Sequence, residues 1–321
     1  MEMGLYVKFF RLYGSIPVSM GRQSRIKESC YSAMRFLMRL IGSKLLLPWY
    51  YKYNKLSDNV EEDLVVSMTS FPARLETLWL TVESIKHQDI RPAKIVLYLI
   101  NEEITREQLP QSLVSEEDGL FEIRFRDGKL RAHGKYHFAM KDFPDSIIVT
   151  VDDDMVYPPD MLKIMLECHK KHPTAVVTNR TCEILFNEDG TLKSYNEWNN
   201  EFNESDYARG YVEKDLLIPM GVCGAMYPPH ILYKDVLNFS LAKELSYLAD
   251  DLWLYAMTKL SNHPVIKTPM NDQEIIPIDI KDNTTLNAIN CGESQNDVQF
   301  RQIREYYLKN EGRDIIAKTL S

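Results

Sequence analysis

Cysteine and long apolar runs are scarce in this sequence, and each shortage argues against a class of protein. The cysteines are odd in number and form no C-x-x-C pair; they are Cys30, Cys168, Cys182, Cys223 and Cys291. This pattern disfavours a zinc site and a disulfide framework, and it favours a reducing compartment. The first residues, MEMGLYVKFFRLYG, are mixed in polarity and lack the continuous apolar core of a signal peptide. We therefore expect a cytoplasmic protein.

The composition is that of an ordinary soluble globular protein. The chain has 321 residues, of which 45% are hydrophobic and 26% are charged. This length can bury a sizeable core, either in one large domain or in two smaller ones. We find no internal repeat and no low-complexity tract.

The charge is distributed unevenly along the chain. Residues 1–55 carry ten Lys or Arg and two acids, whereas the remainder carries 28 Lys or Arg and 44 acids. We call residues 1–60 the leader and residues 61–321 the body. A basic leader on an acidic body indicates an interaction with a partner. Nucleic acid is not the expected partner, because the acidic body would repel phosphate.

The leader has two possible roles. Its stretch YSAMRFLMRLIGSKLLLPWYYKY mixes apolar and aromatic residues with cations, and is too short and too charged to span a bilayer, which needs about 20 apolar residues. It could lie on an anionic membrane surface, with Trp49, Tyr50 and Tyr51 near the headgroups, which would make the protein peripheral on the inner face of the cell membrane. Alternatively, it could form a basic amphipathic helix that docks on its own acidic body.

Strand-like and helix-like segments alternate through the first half of the body. The apolar segments LVVSMTS, AKIVLYLI, FEIRFRD and SIIVTV have the character of strands that are buried on both faces, and amphipathic segments separate them. This alternation predicts an α/β fold with a mainly parallel sheet flanked by helices. After about residue 175 the pattern loosens, although AVVTNR has strand character and ADDLWLYAMTKL is a predicted amphipathic helix.

Three adjacent acids, Asp152, Asp153 and Asp154, directly follow the fourth predicted strand. Adjacent carboxylates repel each other and lose solvation when buried, so packing alone does not require them. Ligands of open α/β sheets bind outside the carboxyl ends of the strands. On an extended segment Asp152 and Asp154 would point the same way, and carboxylate oxygens suit Mg²⁺ or Mn²⁺. The pattern therefore predicts a metal–diphosphate site. The alternative is a helix N-cap, for which one aspartate would suffice.

Five blocks in a fixed order resemble one group of enzymes. The blocks are VVSMTSFPARLETLWLTVESIKHQDIRPAKIVLYL, LRAHGKYHFAM, IIVTVDDDMVYPPDML, GVCGAMYPP and ADDLWL, and the resemblance covers roughly Leu64 to Asn262. Together they resemble the nucleotide-sugar glycosyltransferases of the GT-A fold, and more narrowly the family-2-like enzymes of bacterial capsule, O-antigen and exopolysaccharide synthesis. The resemblance implies a Rossmann-like body with a nucleotide-sugar half over about 61–175 and an acceptor half over about 176–321.

Carried over residue by residue, the resemblance implies a donor site at the strand ends. The residues that it places around the nucleotide sugar are Thr69, Ser70, Arg74, Glu102, Asp127, Arg131, Lys135, Asp152 and Asp153. A metal that bridges the diphosphate, Mn²⁺ or Mg²⁺, would be held by Asp154 and Asp152. His133 lies in the same block as Lys135, where a cation could neutralise phosphate. No histidine that completes a metal shell can be identified.

The resemblance also implies where the acceptor reacts. An acidic pair at the start of a late helix supplies the base of inverting enzymes in this group, and Asp250 and Asp251 match that placement. One carboxylate in hydrogen-bond reach of the acceptor hydroxyl is sufficient. The alternative is again a helix N-cap. Around the acceptor we expect close backbone approach at Gly221 and Gly224, or a plain turn there. A sugar-stacking platform, or a loop anchor, is expected from Tyr195, Trp198, Tyr207 and Tyr211.

The function that we expect is metal-dependent, inverting transfer of a sugar from a nucleoside-diphosphate sugar, UDP-linked in preference, to a glycan or a lipid-linked saccharide. One alternative is a sugar nucleotidyltransferase, but such enzymes carry a glycine-rich loop after the first strand and SMTSFPARLE has no glycine. Another is a non-catalytic binding subunit of a polysaccharide assembly complex, which two complete acidic motifs disfavour. A haloacid-dehalogenase-type phosphatase would need its aspartates after the first strand rather than the fourth.

Overall fold

The computed structural model describes residues 3–18, 25–198, 212–278 and 294–317. Tyr207, Tyr211 and Cys291 lie outside these ranges. Among the described residues no helix combines the length and the apolar character that crossing a bilayer requires.

The leader forms three helices instead of the single amphipathic helix of the docking interpretation. They are α1 (Met3–Gly14), α2 (Arg25–Ile41) and α3 (Leu47–Tyr53), and a π-helical turn (Gly42–Leu46) joins the last two. Tyr6 of α1 stacks on Tyr50 of α3 with ring centroids 3.7 Å apart, and its hydroxyl donates to that of Tyr51. Tyr50 and Tyr51 are thus buried, although the membrane interpretation placed them near headgroups. Part of the leader is therefore docked on the body.

The body follows the predicted alternation up to about residue 175 and continues with further strands and helices. Its strands are β1 (Val60–Thr69), β2 (Arg91–Ile100), β3 (Phe121–Arg126), β4 (Ile147–Thr150), β5 (Met155–Val156), β6 (Val176–Thr178), β7 (Thr181–Glu183), β8 (Val212–Glu213), β9 (Leu217–Pro219), β10 (Ala225–Tyr227), β11 (Val265–Lys267) and β12 (Ile276–Pro277). Its helices are α4 (Leu75–Lys86), α5 (Gln111–Val114), α6 (Gly134–Asp142), α7 (Met161–Lys171), α8 (Phe239–Ser246), α9 (Asp250–Leu260) and α10 (Gln295–Glu311).

One mostly parallel sheet organises the body. Its strand order is β3-β2-β1-β4-β10-β6-β11-β8. The pairs β1–β2, β2–β3, β1–β4 and β6–β11 are parallel, whereas β10 runs antiparallel between β4 and β6 and β8 is antiparallel at the edge. Two small antiparallel pairs, β5–β12 and β7–β9, lie outside this sheet. The predicted α/β class and its mainly parallel sheet are confirmed.

Helices cover both faces of the sheet. On one face α4, α5 and α7 pack in a core that includes Leu78, Val82 and Met165; on the other, α6, α8, α9 and α10 pack in a core that includes Trp253 and Ile303. Because both faces are buried, the inner segments of the central strands are mainly apolar, and every residue from 95 to 100 in β2 is buried. Burying each large apolar side chain contributes about 1.5–3 kcal/mol before entropy costs. These layers determine where the strand ends lie.

Candidate active site

The carboxyl ends of β1, β2, β3 and β4 lie at one edge of the sheet because the four strands are parallel. The antiparallel strand β10 starts at the same edge, since Ala225 pairs with Thr150 at the end of β4. The turn that precedes β10, Gly221–Cys223, is thereby brought next to the acid triplet. Residues that are distant in the chain meet at this edge.

The acid triplet is part of a turn and does not cap a helix. Strand β4 ends at Thr150, the chain turns at Asp153 and Asp154, and α7 begins only at Met161, with Asp160 in the N-cap position. The N-cap alternative for the triplet is therefore wrong. The turn also breaks the alternation that would have aligned Asp152 with Asp154, since that argument holds only for an extended segment.

Two cations, Arg74 and Lys135, form ion pairs with different acids of the triplet. The Arg74 guanidinium lies 2.5 Å from Asp153 Oδ1 and 3.0 Å from Asp154 Oδ2. Asp152 is held separately, with its Oδ1 at 2.8 Å from Lys135 Nζ. Burial and the charges of Asp152 and Asp153 raise the pKa of Asp154 to about 7, although Arg74 opposes the shift. Burial likewise raises the pKa of Asp153. The three carboxyl groups thus lie close together, and a further cation bound there would reduce the repulsion between them.

The chemistry of the triplet fits a divalent ion in part. Asp153 Oδ2 and Asp154 Oδ1 are buried and lack a hydrogen-bond partner, and hard carboxylate oxygens suit Mg²⁺ or Mn²⁺. In the described part of the chain, however, no three His, Cys, Asp or Glu side chains come together in an arrangement that could hold a metal. A metal at this edge would need oxygens from water or from a bound diphosphate as its remaining ligands.

Lys135 connects the triplet to the second acidic motif. Its Nζ lies 2.8 Å from Asp152 Oδ1 and 3.1 Å from Asp250 Oδ2, and its side chain is only 6% exposed. Burial lowers the pKa of a lysine, but here the surrounding carboxylates outweigh burial and raise it well above its usual value. Lys135 is therefore a permanent cation between two acidic motifs from opposite halves of the body.

Asp250 and Asp251 open α9 without capping it. The N-cap position belongs to Ala249, and neither acid makes a side-chain cap bond. Asp251 Oδ1 instead accepts a hydrogen bond from the Gly221 N–H at 3.0 Å. Burial opposes ionisation of both acids, but Lys135 lowers the pKa of Asp250, whereas burial and the neighbouring Asp250 charge raise the pKa of Asp251. Asp250 is buried while Asp251 remains partly exposed. The pair therefore contains one fixed anion and one carboxyl that can exchange a proton.

Residues 68–227 match the family model described as Glycosyl transferase family 2. The chain contains a glycosyl transferase family 2 domain and is a glycosyltransferase. No curated protein matches it. Many solved structures resemble the fold, among them the two that follow. One is a mannosyltransferase, PcManGT from Pyrobaculum calidifontis in complex with GDP-Man and Mn²⁺, with 14% identity, a TM-score of 0.45, and coverage of 88% of this chain and 76% of the other.

The second resembling structure is 4-diphosphocytidyl-2C-methyl-D-erythritol synthase from Anaerococcus prevotii. It shares 13% identity with the glycosyltransferase at a TM-score of 0.42, and the match covers 73% of this chain and 99% of the other. At these scores neither structure bears on substrate or metal. The assignment to glycosyl transfer depends on the family domain, which contains the whole acid triplet and the turn at Gly221.

Several predicted donor-site residues of the glycosyltransferase make contacts within the protein. The Thr69 hydroxyl donates to Tyr98 O, and Ser70 is buried close to Asp153. Glu102 Oε1 accepts from the Gly128 N–H, and Asp127 Oδ1 accepts from the Asn101 amide; both acids are exposed. Glu102 and Asp127 thus shape the loops at the ends of β2 and β3.

Arg131 and His133 precede α6, and their side chains contact residues other than the triplet. The Arg131 guanidinium lies 5.0 Å from the centre of the Tyr247 ring, and the Arg131 backbone has a positive φ of 51°. His133 is fully buried, with Nδ1 at 2.9 Å from the Tyr136 hydroxyl and Nε2 at 2.8 Å from Ser246 O. Burial lowers the pKa of His133, so it is a neutral structural residue and not a phosphate-binding cation.

The predicted sugar-stacking platform is wrong for Tyr195 and Trp198. Both side chains are buried, at 7% and 5% exposure, and Trp198 packs edge-on against Phe300 of α10 with ring centroids 5.0 Å apart. The indole N–H donates to Lys193 O. These rings anchor a loop, which was the alternative interpretation, and they offer no face to a sugar.

Two residues that the sequence analysis did not assign also lie at this edge. The Tyr157 hydroxyl accepts from the Asp152 N–H at 2.9 Å and donates to Val222 O at 3.0 Å, so it joins the triplet to the turn before β10. Arg180 follows β6 and forms an ion pair with Asp272 at 3.6 Å. The sequence indicates a role for either residue only weakly. Tyr157 is a tyrosine before two prolines, and Arg180 is a cation at the end of the segment AVVTNR, which has only the character of a strand.

The two glycines near β10 have different reasons to be glycine. Gly224 has φ +90°, a conformation that disfavours other residues. At Gly221 the constraint is space, because an added Cβ would lie 3.0 Å from Lys135 Nζ and 3.1 Å from Asp251 Oδ1. Gly221 therefore allows the cation and the acid to approach the turn.

We expect Gly221→Ala to lower kcat/KM about tenfold, because the methyl group displaces Lys135 and Asp251 by tenths of an ångström and misplacement by 1 Å can cost about 100-fold. Steady-state transfer assays measure this. Gly119→Ala is the matched control, since a Cβ there meets nothing within 4 Å. Equal activity of the two variants would show that the turn does not position these groups.

Proposed function

We propose that the glycosyltransferase moves a sugar from a nucleoside-diphosphate sugar, UDP-linked in preference, to a saccharide or lipid-linked acceptor, with inversion at the anomeric carbon and with Mn²⁺ or Mg²⁺. The setting that we infer is bacterial capsule, O-antigen or exopolysaccharide synthesis on the cytoplasmic side of the membrane. The observation that carries the proposal is Lys135, which contacts both the triplet and the acid pair of α9. It brings a phosphate-binding motif and a candidate base into one site.

The donor side of this site is assigned to the triplet and its surroundings. Asp154, with Asp153 beside it, would hold the metal, which would offset charge on the departing nucleoside diphosphate. Arg74 is ion-paired with the same carboxylates. When the nucleotide sugar binds, the guanidinium N–H groups can hydrogen-bond to its phosphate oxygens instead. A cavity of about 210 Å³ is lined by Leu75, which follows Arg74 in the chain, and by Pro72, Glu103 and four other residues, and it offers room for part of the nucleotide.

The acceptor side is assigned to Asp251. As the acceptor oxygen attacks the anomeric carbon, the bond from that carbon to the diphosphate oxygen breaks and the hydroxyl proton moves to a carboxylate. Asp251 suits this role because it is partly exposed and its pKa is raised toward neutrality, where a general base works best. Asp250 suits it less, since Lys135 holds it as a weakly basic, buried anion. Inversion follows from a single direct displacement.

A thermal-shift panel tests the donor site. UDP-, GDP-, CMP- and dTDP-sugars are each added with and without Mn²⁺, and the expected result is that one nucleoside-diphosphate sugar raises Tm only with the metal. At about 100 times Kd a ligand stabilises by about 2.7 kcal/mol, which is several degrees. Asp154→Ala is expected to abolish this shift.

Two controls make the panel decisive. Asp145→Ala removes a well-exposed acid that lies before β4 and should leave the shift intact. Mn²⁺ alone at the same concentration separates metal binding from donor binding. If all donors behave alike, or if Asp154→Ala responds as the parent protein does, the donor site has been assigned to the wrong residues.

A further inference from the structure

The leader presents two faces with opposite surroundings. Its inner face, which includes Tyr6, Phe10, Leu47 and Tyr50, is buried against Val156 and other residues of the body. Its outer face is apolar and exposed. Of the large apolar side chains that are exposed among the described residues, eleven of fourteen belong to the leader. The exposed apolar surface of the described chain is therefore concentrated on one segment.

The outer face forms a continuous stripe through two helices. Met34, Leu37, Ile41, Leu45 and Trp49 recur every three or four residues, from α2 through the π-helical turn into α3, and are 44% or more exposed. Such a spacing places them on one side of a helix. Isolated exposed apolar residues are normal, but a contiguous row of this size marks an interaction site.

The charge of the leader indicates which kind of partner binds the stripe. The leader segment 1–55 carries ten Lys or Arg against two acids, and Lys27, Lys44 and Lys52 are exposed on the same helices. Trp49 and Tyr53, whose rings lie 5.5 Å apart, form an aromatic group at the end of the stripe, as is usual at membrane–water boundaries. Two such leaders would repel each other, whereas anionic lipid headgroups would attract the cations while the stripe entered the acyl boundary.

We propose that α2 and α3 dock the protein on an anionic bilayer surface, with the stripe from Met34 to Trp49 embedded and the leader's cations among the headgroups. The docked segment adjoins the active site. Arg11 of α1 is ion-paired with Asp160 and Glu274, and the backbone N–H of Ile278, which packs on the leader, donates to Asp154 O. Membrane attachment would therefore hold the triplet edge close to the lipid surface.

Vesicle flotation of the full chain tests this docking without donor or turnover, so its outcome is independent of the proposed reaction. We expect the protein to float with vesicles of phosphatidylcholine and phosphatidylglycerol, and not with phosphatidylcholine alone. Leu37→Glu/Ile41→Glu should weaken flotation at least tenfold. Since both side chains are about half exposed, Tm and transfer to a soluble acceptor should be unchanged.

The control is Val298→Glu/Leu308→Glu, which adds the same charge to exposed apolar positions on α10 and should float as the parent protein does. Equal flotation with both vesicle types, or equal flotation of the leader variant, would overturn the proposal. Light scattering after gel filtration detects the competing occupant. A dimer that the leader variant disperses, without vesicle binding by the parent protein, would assign the stripe to a second copy of the chain.

Discussion

Asp251→Asn is expected to lower kcat about 10²- to 10⁴-fold, the contribution of a positioned general base, while the donor Kd changes less than about threefold. The amide preserves the shape of the side chain and cannot take the acceptor proton. Donor affinity is retained because the donor contacts are assigned to the triplet and Arg74. Single-turnover transfer and donor titration measure the two quantities separately.

The pH profile provides a second readout for Asp251. A base works when it is deprotonated, so kcat/KM of the parent enzyme should rise with pH through the raised pKa of Asp251, near neutrality rather than near 4. Asp250→Asn removes the neighbouring negative charge and should shift this rise to lower pH. A parent profile that is flat across the neutral range would argue against Asp251 as the base.

Glu305→Gln is the control for these variants, because this exposed acid lies on α10 outside the site and its loss should change neither constant. If Asp251→Asn keeps more than about a tenth of the parent kcat, another group must accept the proton. If donor binding falls as much as kcat, the acid pair belongs to the nucleotide site.

Lys135→Met is expected to have the second-largest effect, on stability as well as on activity. The substitution removes the cation that contacts Asp152 and Asp250, and leaves these carboxylates buried or partly buried without their partner. Removing one partner of a buried ion pair costs about 3–5 kcal/mol, and we expect the lower end because Asp152 is 31% exposed. Denaturant unfolding and transfer assays measure the losses.

The deficit in Lys135→Met should depend on pH with a definite sign. Lys135 lowers the folded-state pKa of Asp250, so their attraction stabilises the fold above the unfolded-state value of about 3.9 and is lost as pH falls through the folded-state pKa. The difference in unfolding free energy between the parent protein and the variant should therefore be largest at neutral pH and should shrink in acid.

A double-mutant cycle separates charge pairing from packing. Lys135→Met/Asp250→Asn removes both charges and should recover part of the stability that Lys135→Met loses. Lys141→Met, an exposed cation on the same helix α6, should change stability by less than about 0.5 kcal/mol. A purely additive cycle would show that Lys135 and Asp250 are not coupled in solution.

The metal site and the donor site could be predicted from the sequence because the three acids of the triplet are adjacent in the chain. Three acids after an apolar strand predict a ligand site wherever that strand lies in a parallel sheet. Which of the three acids lie together, and which cation each one contacts, could not be predicted from the sequence. Alternation pairs Asp152 with Asp154, but the turn at Asp153 and Asp154 frees the side chains from that rule, and the cations at Arg74 and Lys135 then sort them.

The aromatic residues of the acceptor half show the opposite case. Tyr195 and Trp198 lie in a polar stretch, and local sequence offers no means to distinguish a sugar platform from a loop anchor. Phe300 of α10, beyond the resembling blocks, decides the matter because it packs against Trp198. The leader behaves similarly, since Tyr50 and Trp49 are neighbours in the chain but face the body and the solvent, respectively.

The sequence by itself determined the alternation of strands and helices up to about residue 175, the mainly parallel sheet and the positions of acids at strand ends, because apolar periodicity is a property of neighbouring residues. Only the tertiary structure decided which charges meet. Lys135 lies between Asp152 and Asp250 because β4, α6 and α9 converge at one edge of the sheet, and contacts between such distant segments depend on how whole layers pack.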